Sequence, residues 1–331
     1  MMRKCRFAFY WLGLANLVSV FALTLSAQTL RFDANGNFKI AQFTDVHFNY
    51  GETASEAASQ LIEEVLEKEK PDLVLLTGDI VTAKPVKEGW LKVTQPIVDR
   101  KLPFVVTFGN HDDEHGWSRD SISNLLQTIP GNLSADRVKS GNPDAVIELL
   151  GANNNIGGLL YCLDSKSYST LKHIEGYGWF TQPQINWFRE TSANYTAANN
   201  NQPLPALAFF HIPLPEYTPA FANEKVKPVG VKNEKECAPQ INTGMFAAMQ
   251  EAGDVMGTFV GHDHVNDYIA YWHGIALAYG RFSGGKTTYG DLVNGARIIN
   301  MKENKRTFDT YIHVLGKGKI HEASFDPKGQ L

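Results

Sequence analysis

The apolar positions of this chain fall into short runs, and a polar cluster follows most of them. Residues 38–45 (Phe-Lys-Ile-Ala-Gln-Phe-Thr-Asp) alternate into a strand that ends at an acid. Residues 54–69 carry apolar side chains at helical spacing, and Pro71 closes them. Leu73-Val74-Leu75-Leu76-Thr77 is an unbroken apolar run, the mark of a strand buried on both faces, and it leads into Gly78-Asp79. The pattern predicts a second helix over residues 86–99, then another buried strand over 103–108 that ends in Gly109-Asn110-His111-Asp112. Such alternation predicts a layered α/β fold with parallel strands at its start.

Near residue 145 the texture changes. Short strand-like runs are separated by Gly- and Asn-rich clusters such as residues 151–155 and the loop 197–202. Residues 206–210 read as one more strand, ending in His211, and residues 257–260 lead into Gly261-His262-Asp263-His264. Roughly 268–325 read as successive β-strands. With no internal repeat and no low-complexity linker, residues 28–331 read as a single domain.

Residues 1–27 have a different character. Arg3, Lys4 and Arg6 precede an apolar stretch from Phe7 to Leu25, and Ser26-Ala27 supply the small residues of a cleavage point, which predicts a secretory signal peptide. The alternative is an uncleaved N-terminal membrane anchor. Either one places the rest of the chain outside the cytoplasm, secreted or periplasmic. No later stretch approaches the roughly 20 apolar residues that a membrane span needs. Setting Cys5 aside leaves Cys162 and Cys237, which form either a disulfide or two separate thiols.

Composition narrows the function. Of the 331 residues, 43% are hydrophobic and 20% charged, which excludes a disordered or fibrous chain. The formal charge of −4 becomes −7 without the three cations of the first 27 residues, and no basic cluster remains. Nucleic-acid binding, which rests on many basic contacts, is therefore not expected.

Five polar clusters share one placement at the end of a short apolar strand: Asp45-Val46-His47, Gly78-Asp79, Gly109-Asn110-His111-Asp112, His211 and Gly261-His262-Asp263-His264. Taken singly, each has an ordinary explanation, such as a turn, a helix cap or a core histidine. Together they hold five of the ten histidines, and ligands in open α/β sheets bind outside the carboxyl ends of strands. Carboxylate, imidazole and amide oxygen suit divalent Mn, Fe, Zn or Co. Two such ions sharing a carboxylate would clamp a phosphate ester and deliver a metal-activated hydroxide for in-line attack.

This ordered set resembles the calcineurin-like metallophosphoesterases. Phe108-Gly-Asn-His-Asp-Asp113 with Ser118-Arg119, Phe210-His-Ile-Pro-Leu-Pro-Glu-Tyr217 and Gly261-His-Asp-His-Val-Asn-Asp-Tyr268 are similar to one branch. That branch holds the plant purple acid phosphatase 28/29-type proteins and the yeast Dcr2-type phosphatase. The resemblance covers about residues 36–300 and implies a four-layer αββα sandwich of two mixed β-sheets, with the site at the sheet edge. It implies that Asp45, His47, Asp79 and His264 hold one metal, and that Asp79 bridges to a second completed by Asn110, His211 and His262. It further implies that His111 donates a proton to the leaving oxygen or bonds a phosphate oxygen, with Asp112 orienting its imidazole. Thr82 stands where the purple enzymes carry their iron-binding tyrosine, so iron–tyrosinate colour is not expected. Some members of the branch are described as inactive, but the filled ligand positions here imply activity.

Smaller expectations concern the surroundings. His115, Trp117, Arg119 and Arg281 are candidate substrate residues. Against these roles stand a solvated loop histidine for His115, a local carboxylate partner for Arg119 and a simple β-turn around Arg281. The aromatic group Tyr177, Trp179, Phe180, Trp187 and Phe188 is expected to pack a helix onto the sheet. The function expected is phosphomonoester hydrolysis on a small phosphoester. A phosphodiesterase on the same site is the alternative, and a silent metal- or phosphate-binding protein is the rival outside catalysis.

Overall fold

The computed structural model describes residues 29–328, so the signal-peptide expectation for residues 1–27 lies outside the described residues. The first part of the chain forms β1 (Asn37–Phe43), α1 (Glu56–Glu69), β2 (Leu73–Thr77), α2 (Val86–Asp99), β3 (Phe104–Thr107), α3 (Arg119–Leu126) and the short α4 (Arg137–Ser140). The middle forms β4 (Ala145–Leu150), β5 (Ile156–Cys162), α5 (Gln182–Ala198), β6 (Ala206–Phe209), α6 (Tyr217–Phe221), α7 (Met245–Ala252) and β7 (Val255–Val260). Five strands follow: β8 (Ile269–Trp272), β9 (Ile275–Tyr279), β10 (Gly295–Lys302), β11 (Phe308–Val314) and β12 (Gly318–Phe325).

The strands make two mixed six-stranded sheets, ordered β12-β11-β10-β1-β2-β3 and β4-β5-β6-β7-β9-β8. In the first, β1, β2 and β3 run parallel, while β10 pairs antiparallel to β1. In the second, β5, β6, β7 and β9 run parallel, and β4 and β8 close the edges antiparallel. The run of strands expected over 268–325 is therefore divided, with β8 and β9 in one sheet and β10–β12 in the other.

Three apolar cores separate four layers. Leu73 and Leu75 of β2 join Phe38, Ile40, Leu207, Phe209 and Phe259 between the two sheets. Val74 and Leu76 point the other way, against Leu61, Val65 and Trp90 of α1 and α2. Leu159, Ala206 and Ala208 meet Phe188 of α5 and Met249 of α7 on the far side. Burial on both faces is why the central strands read as unbroken apolar runs rather than as alternation. It also answers the sequence reading of the aromatic group in part, since Phe180 and Phe188 do pack the α5 layer.

Cys162 is buried at the end of β5 and Cys237 is exposed, and both are free thiols. No helix among the described residues is long and apolar enough to cross a membrane.

Candidate metal centre

The carboxyl ends of β1, β2 and β3 from one sheet meet those of β6 and β7 from the other. Each strand stops and hands a polar side chain to the same spot. Asp45, His47, Asp79, Asn110, His211, His262 and His264 are each at most 7% exposed, so these are buried polar groups that need partners. Six of them fall into two sets whose ligating atoms lie within 4.8 Å of one another: Asp45, His47 and His264, and Asp79, His211 and His262. Asp79 Oδ2 stands 3.8 Å from His47 Nε2 and 3.2 Å from His211 Nε2, between the two sets.

The loops are knitted together by one another's side chains. Asp45 accepts from the His262 backbone N–H at 3.0 Å, and Asp79 Oδ1 accepts from the His111 N–H at 2.8 Å. Backbone bonds from Asp45 N to Gly78 O and from His47 N to Asp79 O, at 3.0 and 2.9 Å, lay the first loop along the second. Asp45, His47, Asp79 and His262 all have positive φ, at 52°, 42°, 53° and 80°. Each such backbone costs roughly 1–2 kcal/mol outside glycine, a strain that concentrates here on candidate ligands. Two glycines are required by close approach. A Cβ on Gly109 would overlap the Asp79 carboxylate, and one on Gly261 would strike Thr44 Oγ1 and the Asp45 carboxylate.

Second partners turn the rings. His211 Nδ1 bonds Thr77 O at 2.8 Å and His264 Nδ1 bonds Tyr289 O at 3.2 Å, leaving both Nε2 atoms aimed into the centre. Nε2 of His47 and of His264 are 3.1 Å apart, close to the separation of two ligands each about 2.0–2.1 Å from one ion. Asn110 Oδ1, His211 Nε2 and His262 Nε2 are buried with no hydrogen-bond partner. Orphaned polar atoms of this kind, beside buried carboxylates, fit a divalent cation in the donor set that such ions take.

The charges agree. Burial, and then the charge of nearby His211, hold His262 well below its usual value, and burial is also the main cause that takes His47 down to about 3. Both are therefore neutral imidazoles at pH 7, the form that ligates metal. Burial disfavours the His211 imidazolium, but Asp79 and Asp45 outweigh it and carry that ring up to about 10. Burial likewise resists ionisation of Asp79, yet His211 and then His47 keep its carboxyl far below the usual range.

Several expectations need correction. Asp112 does not orient His111. Its carboxylate is fully buried beneath the loops and accepts the backbone N–H groups of Gly109, Ile80 and Asp79 at 2.7, 2.8 and 3.0 Å. Burial and then the Asp79 charge push it up to about 6. His111 Nδ1 instead meets Glu114 Oε2 at 2.7 Å. Arg119 is 9% exposed and spent on Asp164, at 2.8 Å, and on the Gly109 carbonyl, so its carboxylate reading holds rather than the substrate one. Arg281 is 5% exposed and bonded to Asp267 and the Val293 carbonyl, which removes it from the substrate wall. Trp117 packs on the α1–α2 side of the first sheet instead of lining a cleft. His115 makes no hydrogen bond, ion pair or ring contact among the described residues.

Four neighbours were not singled out for the site. Tyr177, assigned above to helix packing, stands edge-on to His262 with ring centroids 4.3 Å apart. Tyr168 stacks on Tyr177 at 5.7 Å, and Tyr289 stacks on His264 at 4.2 Å. Glu114 could have been found, because a turn brings residue i+3 beside residue i, and Glu114 N bonds His111 O at 3.3 Å. The tyrosines carried no such signal, since the bridge that pairs Tyr168 with Tyr177 is made within an irregular loop.

A family model described as calcineurin-like phosphoesterase matches residues 38–266. The chain is 34% identical over 305 residues to an Arabidopsis thaliana protein named "Probable inactive purple acid phosphatase 29", covering 82% of this chain and 78% of that one. It is 30% identical over 339 residues to phosphatase DCR2 of Saccharomyces cerevisiae, covering 88% of this chain and 56% of the yeast protein. Among solved structures, a dimetal phosphatase from Danio rerio superposes with a TM-score of 0.59 at 13% identity, over 87% of this chain and 98% of that one.

Proposed function

The chain belongs to the calcineurin-like phosphoesterase family, and we propose that it is an exported, dinuclear-metal phosphoesterase that hydrolyses phosphomonoesters. One observation carries this reading: Asn110 Oδ1, His211 Nε2 and His262 Nε2 are buried without partners around a carboxylate that also faces His47. In this proposal Asp45, His47 and His264 hold one ion, Asn110, His211 and His262 hold the other, and Asp79 serves both. The ions are divalent Mn, Fe or Zn. When bound, they supply an activated water and neutralise the phosphoryl oxygens.

The chain's own residues do the rest. His111, 36% exposed at the rim, faces the leaving oxygen and gives it a proton. Asp112 holds the Gly78-Asp79 and Gly109-Asn110 loops in register through its three backbone bonds. The substrate is a small phosphoester, and residues 28–331 act as one catalytic domain. Export rests on the basic, apolar and small-residue order of residues 1–27.

The test is metal content together with hydrolysis by residues 28–331 of p-nitrophenyl phosphate and bis-p-nitrophenyl phosphate, with added Mn(II). Two ions per chain and metal-dependent turnover of the monoester, both lost in Asn110→Ala, are expected. Preference for the diester would replace the monoesterase reading with a phosphodiesterase. Two bound ions with no turnover of either would leave a binding protein.

A further inference from the structure

The loop that carries His111 continues into Glu114, and the contacts there form a closed chain. Glu114 Oε2 meets His111 Nδ1 at 2.7 Å, and Glu114 Oε1 accepts from the Tyr168 hydroxyl at 3.2 Å. The same hydroxyl accepts from Asn110 Nδ2 at 3.3 Å. This last bond decides which way the Asn110 amide faces, because it draws the nitrogen outward and leaves Oδ1 buried and unpartnered inside. Tyr168 is itself fixed by stacking on Tyr177, which leans on His262. The neighbouring acids are engaged elsewhere: Asp112 by three backbone N–H groups, Asp79 Oδ1 by the His111 backbone and Oδ2 by His211 and His47, and Asp113 by Arg119.

We propose that Glu114 is the positioning residue of His111, seconded by Tyr168, and that this pair adapts the site to phosphoesters of alkyl alcohols. The inference rests on the phosphoesterase reading above and adds the substrate class to it. A carboxylate on Nδ1 keeps that proton in place and turns Nε2 toward the leaving group, the second-partner logic by which an acid fixes a histidine tautomer. As the attacking water's oxygen bonds to phosphorus and the ester P–O bond breaks, the electron pair of that bond stays on the leaving oxygen, which takes the Nε2 proton of the doubly protonated ring and leaves it neutral with its proton on Nδ1. The ring then regains a proton from water. An alkoxide needs that proton, whereas p-nitrophenolate leaves well without it. Glu114 is 39% exposed, so the pair adds little to folding and its loss is read in the chemistry.

The experiment compares β-glycerophosphate with p-nitrophenyl phosphate on the Mn(II)-loaded chain and on Glu114→Ala, Glu114→Gln and Tyr168→Phe. Glu114→Ala should lower kcat on β-glycerophosphate about 10–100-fold with KM within about threefold, yet lower kcat on p-nitrophenyl phosphate less than about threefold. Glu114→Gln, which keeps an acceptor, should fall between parent and alanine. Tyr168→Phe should show the same selectivity at about two- to fivefold. In the metal-free chain, 15N ring shifts of His111 should report an Nδ1–H tautomer in the parent and its loss in Glu114→Ala. Equal losses on both substrates, no loss on either, or an unchanged His111 tautomer would overturn the proposal while leaving the phosphoesterase reading standing. A parent chain inactive on both substrates would overturn that reading and the proposal with it.

Discussion

His211 and His313 are both buried imidazoles set between two carboxylates. His211 faces Asp79 and Asp45 at 3.2 and 3.9 Å, where the strand ends of the two sheets converge. His313, on β11, faces Glu69 and Glu64 of α1 at 2.6 and 3.1 Å. Negative neighbours raise both rings above the ordinary histidine value. Charge alone therefore does not tell the two apart; completeness does. Around His313 both ring nitrogens are bonded, Tyr311 bonds the second Glu69 oxygen, and Lys68 and the Gly316 N–H both meet Glu64. Around His211 the Nε2 has the Asp79 carboxylate at 3.2 Å but no hydrogen bond, and His262 Nε2 and Asn110 Oδ1 likewise make none. A satisfied buried cluster holds layers together, while polar atoms left without hydrogen bonds in a buried cluster are suited to take a ligand.

The largest effect that would sharpen this contrast is at Asp79. Asp79→Asn keeps the shape and removes the charge that faces both sets of candidate ligands. Activity should fall about 10³-fold or more, and added Mn(II) should no longer raise the melting temperature. In the parent, saturation to 100 times Kd should add about 2.7 kcal/mol. The metal-free melting temperature should change little. A large metal-free loss would mean that the His211 cluster is structural after all, and the contrast would be broken.

Next comes Gly261→Ala. The new methyl group would push Thr44 and Asp45 out of place. Metal affinity should drop about 10–100-fold, read by titration calorimetry, although no ligand has been replaced. Unchanged affinity would show that the tight fit of these loops does not set the ligand geometry.

How far the sequence reveals these two regions follows from the physics of each. The ligand edge is legible because strands buried on both faces read as apolar runs, so a polar cluster after each run is conspicuous. Asp45, His47, Asp79, Asn110, His211, His262 and His264 stand out in the sequence that way. What side chains do after the strand ends is not legible. Asp112 and Glu114 lie in one acidic run, and only their directions decide that Asp112 braces backbone while Glu114 meets His111. Arg119 and Arg281 read as available cations until burial shows each committed to a protein carboxylate. The division of residues 268–325 between two sheets is equally hidden, because β10 pairs with β1 far back along the chain and β9 with β7. The His313 cluster left no motif at all, since its acids sit on a helix more than 240 residues away.

His313→Ala should act in the opposite sense to Asp79→Asn. It should leave turnover and metal affinity within about twofold of the parent and cost about 1–3 kcal/mol of stability, measured by denaturant unfolding. The cost should depend on pH. The bond to Glu69 raises His313, against burial and with help from Glu64, so its folded-state pKa exceeds the unfolded one of 6.5. That contribution is complete below the unfolded value and disappears as pH rises through the folded one. Glu64 is shifted the other way, its bond to His313 taking it down to about 2, so its share is present above 4.5 and is lost only as pH falls toward 2. The gap between parent and variant should thus be widest at about pH 5–6 and narrow as pH rises through the folded-state value of His313. A gap that widens with pH would mean the ring is held neutral, and the parallel with His211 would fail.

The smallest effect bounds what counts as part of the satisfied cluster. Lys68 Nζ sits 3.0 Å from Glu64 Oε1 at i,i+4 on α1, and its side chain is 57% exposed. Water competes for that lysine, and holding it in place costs side-chain entropy, so Lys68→Ala should change stability by no more than about 0.5 kcal/mol. That remnant should shrink in salt, while the His313→Ala cost should persist, because a Debye length of about 10 Å at 0.1 M screens an exposed pair far more than a buried one. If Lys68→Ala cost as much as His313→Ala, the stability of this region would come from the charge on the α1 surface and not from the buried bonds. Completeness would then no longer be what separates His313 from His211.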